Sequence, residues 1–370
     1  MQTDRSRIVA RKDCRRLRYL NYHYSGNGIS PRTNSMHQIA GIHIHNAHAE
    51  LLANENIDTT LDKQLTLYKG EMEGVDYNLY LEQCAMLEGM IRAFNYHRLP
   101  DILSEYNILS IEQEFLYPLS DGINAMLRFD VIVERKADRV MHIIDFKTAA
   151  NISDDWVKQH EHSDQTLLYV QAAEDIFNRE CGGIIYEGLV KGQRRKDTNK
   201  SSPFYGNKIQ NSPYCYGYML EDMNGLNIIQ TSYTSKKGYR KIRSWETLPP
   251  LRWFTDVLIQ EHRDSGLFNT LFSPTPPIQP TRDEMFRWRR QTVYNELQFM
   301  HQVDEIATIK DENQRLVMMD MYFEQNKNRC FKYGVDNQCP FTNVCLETWT
   351  DPLTTDEFVS RIPHHDTEET

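Results

Sequence analysis

Long hydrophobic runs are missing from this chain of 370 residues. Its apolar stretches span only a few residues, as at 182–186, whereas a membrane-spanning helix needs about 20, and the mean hydropathy is -0.63. The first residues carry charges with no apolar stretch behind them, which is not the pattern of a secretory signal. We therefore expect a soluble, cytoplasmic protein without a membrane partner.

Basic charge is not in excess either. The chain has 42 Lys and Arg against 52 Asp and Glu, for a net charge of -10. A passive nucleic-acid binder usually carries excess positive charge, so the net charge argues weakly against a protein with a basic surface throughout, while an enzyme with a local basic groove stays compatible with these numbers. No Gly-x-x-x-x-Gly-Lys-Ser motif occurs, so any helicase partner is expected to be a separate chain.

Cysteine is sparse, with seven in the chain. In a reducing compartment such cysteines are thiols or metal ligands more often than disulfides. Three of them lie within a stretch rich in turn residues near the end of the chain, at Cys330, Cys339 and Cys345. The other cysteines outside that stretch stand far apart in the sequence: Cys14, Cys84, Cys181 and Cys215. We interpret the last three as small core residues.

The hydrophobic pattern changes along the chain from helical to strand-like spacing. Helices are predicted over 36–53, 80–96, 161–177, near 245–263 and over 282–301. Strands are predicted over 107–115, 125–134, 140–147 and 182–190, with two more within 216–233. Only a short connection separates the second strand from the third, which predicts an antiparallel hairpin.

The third of these strands carries Asp145 and Lys147. Side chains alternate along a strand, so both project to the same face, and the hairpin would place Asp130 beside Asp145. Two carboxylates on a rigid sheet suit Mg²⁺ or Mn²⁺, and a lysine nearby can hold the attacking water. An isolated Asp-x-Lys is also typical of a solvated, salt-bridged strand edge.

Two helical patterns flank this strand. Gln165 and Tyr169 are four residues apart on the helix that follows it, and they share one face. Upstream, the first helix carries Gly41 and His45. A lone histidine on a helix is more often a packed or surface residue, so the order of the whole set matters more than His45 alone.

In that order the residues resemble the motifs of the PD-(D/E)XK nuclease superfamily, in its RecB-like exonuclease branch. Four motifs match in sequence: Gly41 with His45; Arg128 with Asp130, where Leu127 replaces a common glycine; Asp145 with Lys147 and Thr148; and Gln165 with Tyr169. The resemblance covers about 36–190. It implies an α/β fold with a mixed central sheet flanked by helices, and helical N-terminal and C-terminal extensions.

The resemblance also implies a division of the chain and roles for the motif residues. A segment over 1–35 would precede a nuclease core over 36–233, and a helical region with a cysteine-rich tail would cover 234–370. The metal ligands would be His45, Asp130, Asp145 and the Phe146 backbone carbonyl. Lys147 would position the water, and Gln165 and Tyr169 would contact DNA near the scissile bond.

Two assignments in this site stay open. Glu114 on the preceding strand is an ancillary acid candidate, but Glu112 shares its strand face. The choice of histidine is the second open assignment, because three other histidines lie near His45: His37, His43 and His48. The spacing from Gly41 favours His45.

Several nucleases of this branch hold a 4Fe-4S cluster with one early and three late cysteines. The resemblance therefore implies a cluster held by Cys14, Cys330, Cys339 and Cys345. Cys330 departs from the usual spacing because it stands well before Cys339, so a tetrahedral Zn²⁺ stays an alternative. Either group would tether the N-terminal segment to the tail.

The function implied by the resemblance is a metal-dependent DNA nuclease, an exonuclease acting on single strands or free ends. Its setting would be recombination, repair, phage DNA metabolism or CRISPR adaptation, with a separate helicase or recombination protein as a partner. The alternative is a catalytically inactive nuclease-fold module that binds DNA within a larger complex. The presence of Asp130, Asp145 and Lys147 favours the enzyme.

Overall fold

The computed structural model describes residues 1–32, 36–72, 77–149, 152–191, 272–331, 338–346, 349 and 351–362, together with short strands between 194 and 247. Within these ranges, no helix combines the length and the apolar character needed to cross a membrane.

The helices lie mostly in the first quarter and the last quarter of the chain. They are α1 (Arg5–Asp13), α2 (Arg15–Tyr22), α3 (Met36–Leu52), α4 (Ile57–Glu71), α5 (Tyr77–Ala93), α6 (Leu99–Glu105), α7 (Asp154–Glu161), α8 (Asp164–Phe177), α9 (Arg282–Thr308), α10 (Glu312–Tyr322), α11 (Lys327–Cys330) and α12 (Thr342–Leu346). One π-helical turn at Phe94–Arg98 joins α5 to α6.

The strands lie mostly in the middle of the chain. They are β1 (Gln2–Asp4), β2 (Ile29–Pro31), β3 (Tyr106–Ser120), β4 (Ile123–Arg135), β5 (Met141–Ala149), β6 (Cys181–Val190), β7 (Arg194–Lys196), β8 (Lys208–Gln210), β9 (Leu220–Glu221), β10 (Asn227–Thr234), β11 (Arg240–Thr247), β12 (Phe272–Pro274) and β13 (Phe358–Ser360).

A mixed sheet of six strands forms the centre of the fold. Its order is β1-β4-β5-β6-β12, and β3 also pairs with β4. The pairs β3/β4, β4/β5 and β6/β12 are antiparallel, whereas β1/β4 and β5/β6 are parallel. The predicted α/β class with a mixed central sheet is therefore confirmed, as is the antiparallel hairpin of β4 and β5.

Helices cover both faces of this sheet. On one face, α3, α4 and α5 pack against residues such as Val131, Ile144 and Phe146. On the other, α8 and the start of α9 pack against Phe129, Ile132 and Ile143. The first six residues of β5 are consequently all buried, which is expected for a strand covered on both faces.

A third core joins the two ends of the chain. Residues of α1 and α2, including Leu20, pack with residues of α9, α10 and the tail, including Phe299, Phe323 and Phe341. A buried ion network reinforces this contact at Glu296 of α9, which accepts hydrogen bonds from Arg18 and Thr3. The N-terminal segment is thus fixed against the C-terminal helices.

Local predictions failed where caps and pairing overrode periodicity. The helix predicted over 161–177 is confirmed as α8, but it begins at Asp164, because Ser163 caps it by accepting a hydrogen bond from the Thr166 N–H; the separate helix α7 before it was not predicted. The helix α4 was not predicted. The helix predicted near 245–263 is wrong at its start, since Trp245 pairs with Gln230 in an antiparallel ladder; its part beyond 247 lies outside the described residues.

Strands from both ends of the chain enter the central sheet. β1 lies within the predicted N-terminal segment and β12 within the predicted C-terminal region. Both strands pair with members of the predicted core, β1 with β4 and β12 with β6. The sheet therefore contains strands from all three predicted segments.

Candidate active site

One edge of β4 opens a gap in the sheet. The first part of β4 pairs with β1, ending at Met126 opposite Asp4, and its last part pairs with β5, beginning at Val131 opposite Ile144. Within the described chain no strand pairs with 127–130 on this edge. The backbone of 127–130 therefore has no neighbouring strand on this edge among the described residues, and Asp130 lies in this unpaired stretch.

Asp130 and Asp145 meet at the gap. Continuing the register beyond Val131 and Ile144 places the two aspartates opposite each other, as predicted from the sequence. The Phe146 N–H donates a hydrogen bond of 2.8 Å to Asp130 Oδ2. Because the N–H and C=O of one strand residue face the same edge, we expect the Phe146 carbonyl to face the gap as well.

Asp145 is the most enclosed carboxylate of the site, with an exposed fraction of 1%. Lys147 Nζ donates a hydrogen bond to one of its oxygens and Gln165 Nε2 to the other. The predicted pairing of a carboxylate and an amine on one strand face is therefore confirmed. These two donors fix the orientation of the Asp145 carboxylate.

The ionised form of Asp130 is disfavoured at this site. Burial raises the pKa of Asp130 well above its ordinary value, and the neighbouring charge of Asp145 raises it further. A divalent cation between the two would offset both effects. The buried carboxylate pair is therefore the electrostatic environment that a cation site requires.

His45 completes the donor set from the opposite side. Its Nδ1 lies 3.4 Å from Asp130 Oδ2, and helix α3 places its ring edge-to-face with the Phe146 ring, with the centroids 6.2 Å apart. Burial, followed by the charge of Lys147, lowers the pKa of His45 to about 4. The imidazole is consequently neutral at pH 7 and able to act as a metal ligand.

The donor set fits a hard divalent ion by its chemistry. One imidazole, two carboxylates and one strand carbonyl leave room for water and a phosphate oxygen. Across the described part of the chain, however, no three His, Cys, Asp or Glu side chains lie in a ready-made ligand arrangement. In this conformation Lys147 occupies one oxygen of Asp145.

Helix α8 brings Gln165 and Tyr169 to the same site. Both are buried, with exposed fractions of 4% and 7%. The Gln165 amide binds Asp145, and the Tyr169 hydroxyl donates a 3.0 Å hydrogen bond to the Arg128 carbonyl. Burial raises the pKa of Tyr169, so the hydroxyl keeps its proton. These contacts fix the Asp145 carboxylate and the backbone of β4 at Arg128. The predicted contact of Gln165 and Tyr169 with DNA stays a prediction.

The two glutamates of β3 take different positions. Glu112 lies between residues that pair with Phe129 and Val131, hence across from Asp130, and its φ is 48°. Its carboxylate lies 3.0 Å from Arg128 Nε, and burial raises its pKa. Glu114 lies opposite Arg128, is exposed and lines the neighbouring cavity. The acid nearest to Asp130 along the ladder is therefore Glu112, which sequence spacing alone did not select.

A cavity of about 330 Å³ opens beside these residues. Asp130, Asp145 and Lys147 line one side of it. Residues from both ends of the chain line it as well: Asp4, Arg5, Ser6, Arg7, Tyr22 and Arg361. None of these was predicted as a functional residue, since no motif surrounds them.

The four cysteines of the predicted cluster all belong to the third core, three of them buried and Cys345 partly buried against it, but among the described residues they do not form a ready-made ligand arrangement. Cys14 follows α1, and its Sγ accepts a 3.4 Å hydrogen bond from the Asn326 N–H. The Cys339 N–H donates to the Cys330 carbonyl at 2.8 Å. Burial raises the pKa of the Cys345 thiol to about 12, and charges on the other three thiols contribute. A cation bound among them would reverse that effect.

The remaining cysteines lie elsewhere. Cys181 is buried in the core on the α8 face of the sheet, and Cys84 packs against the core on the opposite face. Cys215 lies outside the described residues. The interpretation of Cys84 and Cys181 as core residues is thus confirmed.

Comparisons with known proteins add no assignment to this site. No model of a known protein family matches the chain, and no curated protein matches it significantly.

Proposed function

We propose that this protein is a divalent-metal-dependent deoxyribonuclease with a PD-(D/E)XK type of site. The convergence of Asp130, Asp145 and Lys147 at the gap in the sheet carries the proposal. Each is a residue type that phosphodiester hydrolysis uses, and all three line one cavity. The substrates are single strands or free ends of DNA, and a helicase or recombination protein would be a separate partner.

The ligands of the ion would be His45, Asp130, Asp145 and the Phe146 carbonyl. When bound, the ion polarises the phosphate and lowers the pKa of water. The water oxygen joins phosphorus as the bond to the leaving 3′ oxygen breaks, and that oxygen takes a proton. Lys147, beside Asp145, orients the water and offsets negative charge on the phosphate.

Gln165 and Tyr169 support this chemistry from α8. Gln165 holds one oxygen of Asp145, so that the other oxygen faces Lys147 and the cavity. Tyr169 anchors the carbonyl of Arg128, two residues before Asp130. Such support matters because a ligand displaced by about 1 Å costs much of the rate.

The test is cleavage of end-labelled single-stranded and double-stranded DNA with Mg²⁺ or Mn²⁺, beside a matched reaction in EDTA. We expect labelled products only with the metal, because the carboxylate pair requires a cation to bind phosphate. Cleavage that persists in EDTA would contradict the proposed chemistry. Metal-independent DNA binding with no cleavage under any condition would favour the inactive binding module.

We further propose that Cys14, Cys330, Cys339 and Cys345 hold a 4Fe-4S cluster, with Zn²⁺ as the alternative. The chemistry of the donor set supports this, since four thiolates suit either group. Both groups would join the segment after α1 to the chain around α11 and α12. Their role would be structural because this core is separate from the carboxylate site.

Replacing Cys14 with serine should remove the metal and lower the melting temperature. One ligand of four is lost, and the folding free energy that metal binding supplies is lost with it. Protein purified without oxygen is measured for iron, sulfide and zinc, for visible absorbance and for thermal unfolding. Cys84→Ser is the matched control and should keep the metal. A metal-free wild-type protein with the same melting temperature as Cys14→Ser would refute the site.

A further inference from the structure

The cavity beside Asp145 has a second wall that the proposed chemistry does not use. Arg5 and Arg7 lie in the first turn of α1, Tyr22 ends α2, and Arg361 follows β13. All four line the cavity together with Asp130, Asp145 and Lys147. Three arginine side chains therefore line the same cavity as the carboxylates.

The sheet itself positions the first of these arginines. β1 pairs in parallel with β4 and ends with Asp4 opposite Met126. Arg5 follows directly, so its backbone emerges beside the gap in β4 that exposes Arg128 and Asp130. Thr3 is bonded to the buried Glu296, which fixes this strand and therefore the starting point of Arg5.

Arg361 is held by the opposite end of the chain. The preceding strand, β13, pairs with β2, and the Arg361 N–H donates a 2.9 Å hydrogen bond to the Gly28 carbonyl. Gly28 has a φ of 84°, and a Cβ there would lie 2.1 Å from the Asn21 carbonyl oxygen. Only glycine fits this turn, which aligns β2 for β13 and so places Arg361.

Tyr22 lies between two of the guanidinium groups. The centroid of its ring is 4.2 Å from Arg361 Cζ and 5.2 Å from Arg7 Cζ. Cation–π contacts of this kind fix the planes of the arginines without using their N–H donors. Arg7 donates one N–H to the Gln2 carbonyl and Arg361 donates one to the Tyr22 side chain, so only the remaining donors of both arginines are available for an anion.

The existing partners leave positive charge in this wall unmatched. Arg7 lies 3.4 Å from Asp4 and bonds the Gln2 carbonyl. Arg5 forms no ion pair with any residue that the structure describes, and its Nε is shielded from solvent without a hydrogen-bond partner. An unmatched guanidinium in a cavity is a site for an anion, and phosphate matches its geometry.

We propose that Arg5, Arg7 and Arg361 bind a second phosphate of the nucleic-acid strand, adjacent to the phosphate at Asp130 and Asp145. This subsite rests on the proposed function and defines its substrate: a strand with at least two phosphates in the cavity, not an isolated phosphodiester. Because the wall consists of the two ends of the chain, substrate binding depends on their junction.

The first test measures binding without cleavage. A fluorescent single-stranded oligonucleotide is titrated in EDTA over a range of salt, with Arg5→Ala, Arg361→Ala and the control Arg287→Ala. Arg287 is exposed on α9, bonds its own helix and is absent from the cavity. We expect about tenfold weaker binding for each cavity variant, since a charge-assisted contact is lost, and a salt slope smaller by about 1. The control should match wild type.

The second test separates the subsite from the reaction. Bis(p-nitrophenyl) phosphate carries a single phosphate, so Arg5→Ala should lower its metal-dependent hydrolysis much less than it lowers cleavage of the oligonucleotide. Cleavage of the oligonucleotide should fall about tenfold in the same variant, as its binding does. Arg5→Lys should recover part of the loss because it keeps the charge, and thermal unfolding verifies that each variant is folded.

Each outcome decides between the two proposals. Binding that depends on salt and on Arg5, with no cleavage under any metal condition, keeps the subsite and refutes the nuclease. Cleavage with Arg5→Ala equal to Arg287→Ala in affinity and slope keeps the nuclease and overturns the subsite. Wild-type protein that binds no oligonucleotide overturns the subsite as well.

Discussion

Replacing Asp145 with asparagine should lower DNA cleavage by about 10³-fold or more while the protein stays folded. A bound ion supplies several kcal/mol to the transition state, and each 1.36 kcal/mol is a factor of about ten in rate. Asparagine keeps an oxygen for the Gln165 amide but loses the charge that attracts the ion. Single-turnover cleavage of labelled DNA measures the loss.

The stability of this variant separates a lost ligand from a damaged fold. Asp130 has a raised pKa, so the stability it contributes when protonated is lost as the pH rises through that pKa. Removing the neighbouring charge of Asp145 reduces this loss. Without metal, Asp145→Asn should therefore melt at or above the wild-type temperature at neutral pH.

The matched control is Asp138→Asn, in the turn between β4 and β5. It removes the same charge from the same hairpin, but Asp138 is exposed and pairs with Arg135. This variant should cleave DNA at the wild-type rate. Titration with Mn²⁺ should show weaker binding for Asp145→Asn only. Wild-type cleavage by Asp145→Asn would refute the nuclease assignment.

Local patterns predicted the part of the site that lies close together in sequence. Asp130, Asp145 and Lys147 belong to one hairpin, whose alternation and short connection are visible in the sequence. Helix α8 follows β5 after only the short helix α7, so the position of Gln165 near Asp145 follows from the spacing. The direction of the Gln165 side chain does not, because burial against Asp145 depends on tertiary packing.

The basic wall has no comparable signal. Arg5 reaches the site through a parallel pairing of β1 with β4, and Arg361 through β13 and β2, over very large separations in sequence. Parallel pairing needs no turn between its strands and leaves no local signature. The position of Glu112 across from Asp130 was similarly hidden, since the left-handed backbone at Glu112 interrupts the regular ladder.

The second large effect concerns the buried ion network of Glu296, which joins the N-terminal segment carrying Arg5 to helix α9. Glu296→Ala should lower the free energy of unfolding by about 3–5 kcal/mol, because it leaves buried arginine charge unpaired. Arg18 and Glu296 each have side-chain exposure of 0%, with Arg18 Nη2 2.7 Å from Glu296 Oε2. Arg11 Nε lies 3.3 Å from the other oxygen. Urea denaturation at neutral pH measures the change.

Two further variants identify the cause of the loss. Asp304→Ala removes an exposed carboxylate from the same helix and should leave the unfolding midpoint unchanged. Replacing all three charged side chains together, as Arg11→Met and Arg18→Met with Glu296→Leu, should recover much of the stability, since none of these buried charges is then left unpaired. Equal midpoints for Glu296→Ala and Asp304→Ala would show that the network does not stabilise the fold.

The stabilisation by Glu296 should also depend on pH in a defined direction. Burial alone would raise the pKa of Glu296, but the hydrogen bonds and charge of Arg18 lower it below its ordinary value of 4.5. The stabilisation is therefore complete above that value and is lost as the pH falls through the lowered pKa. The difference in stability between wild type and Glu296→Gln should shrink in acid. Because Thr3 bonds Glu296 and Arg5 follows on the same segment, Glu296→Gln should also weaken oligonucleotide binding at neutral pH.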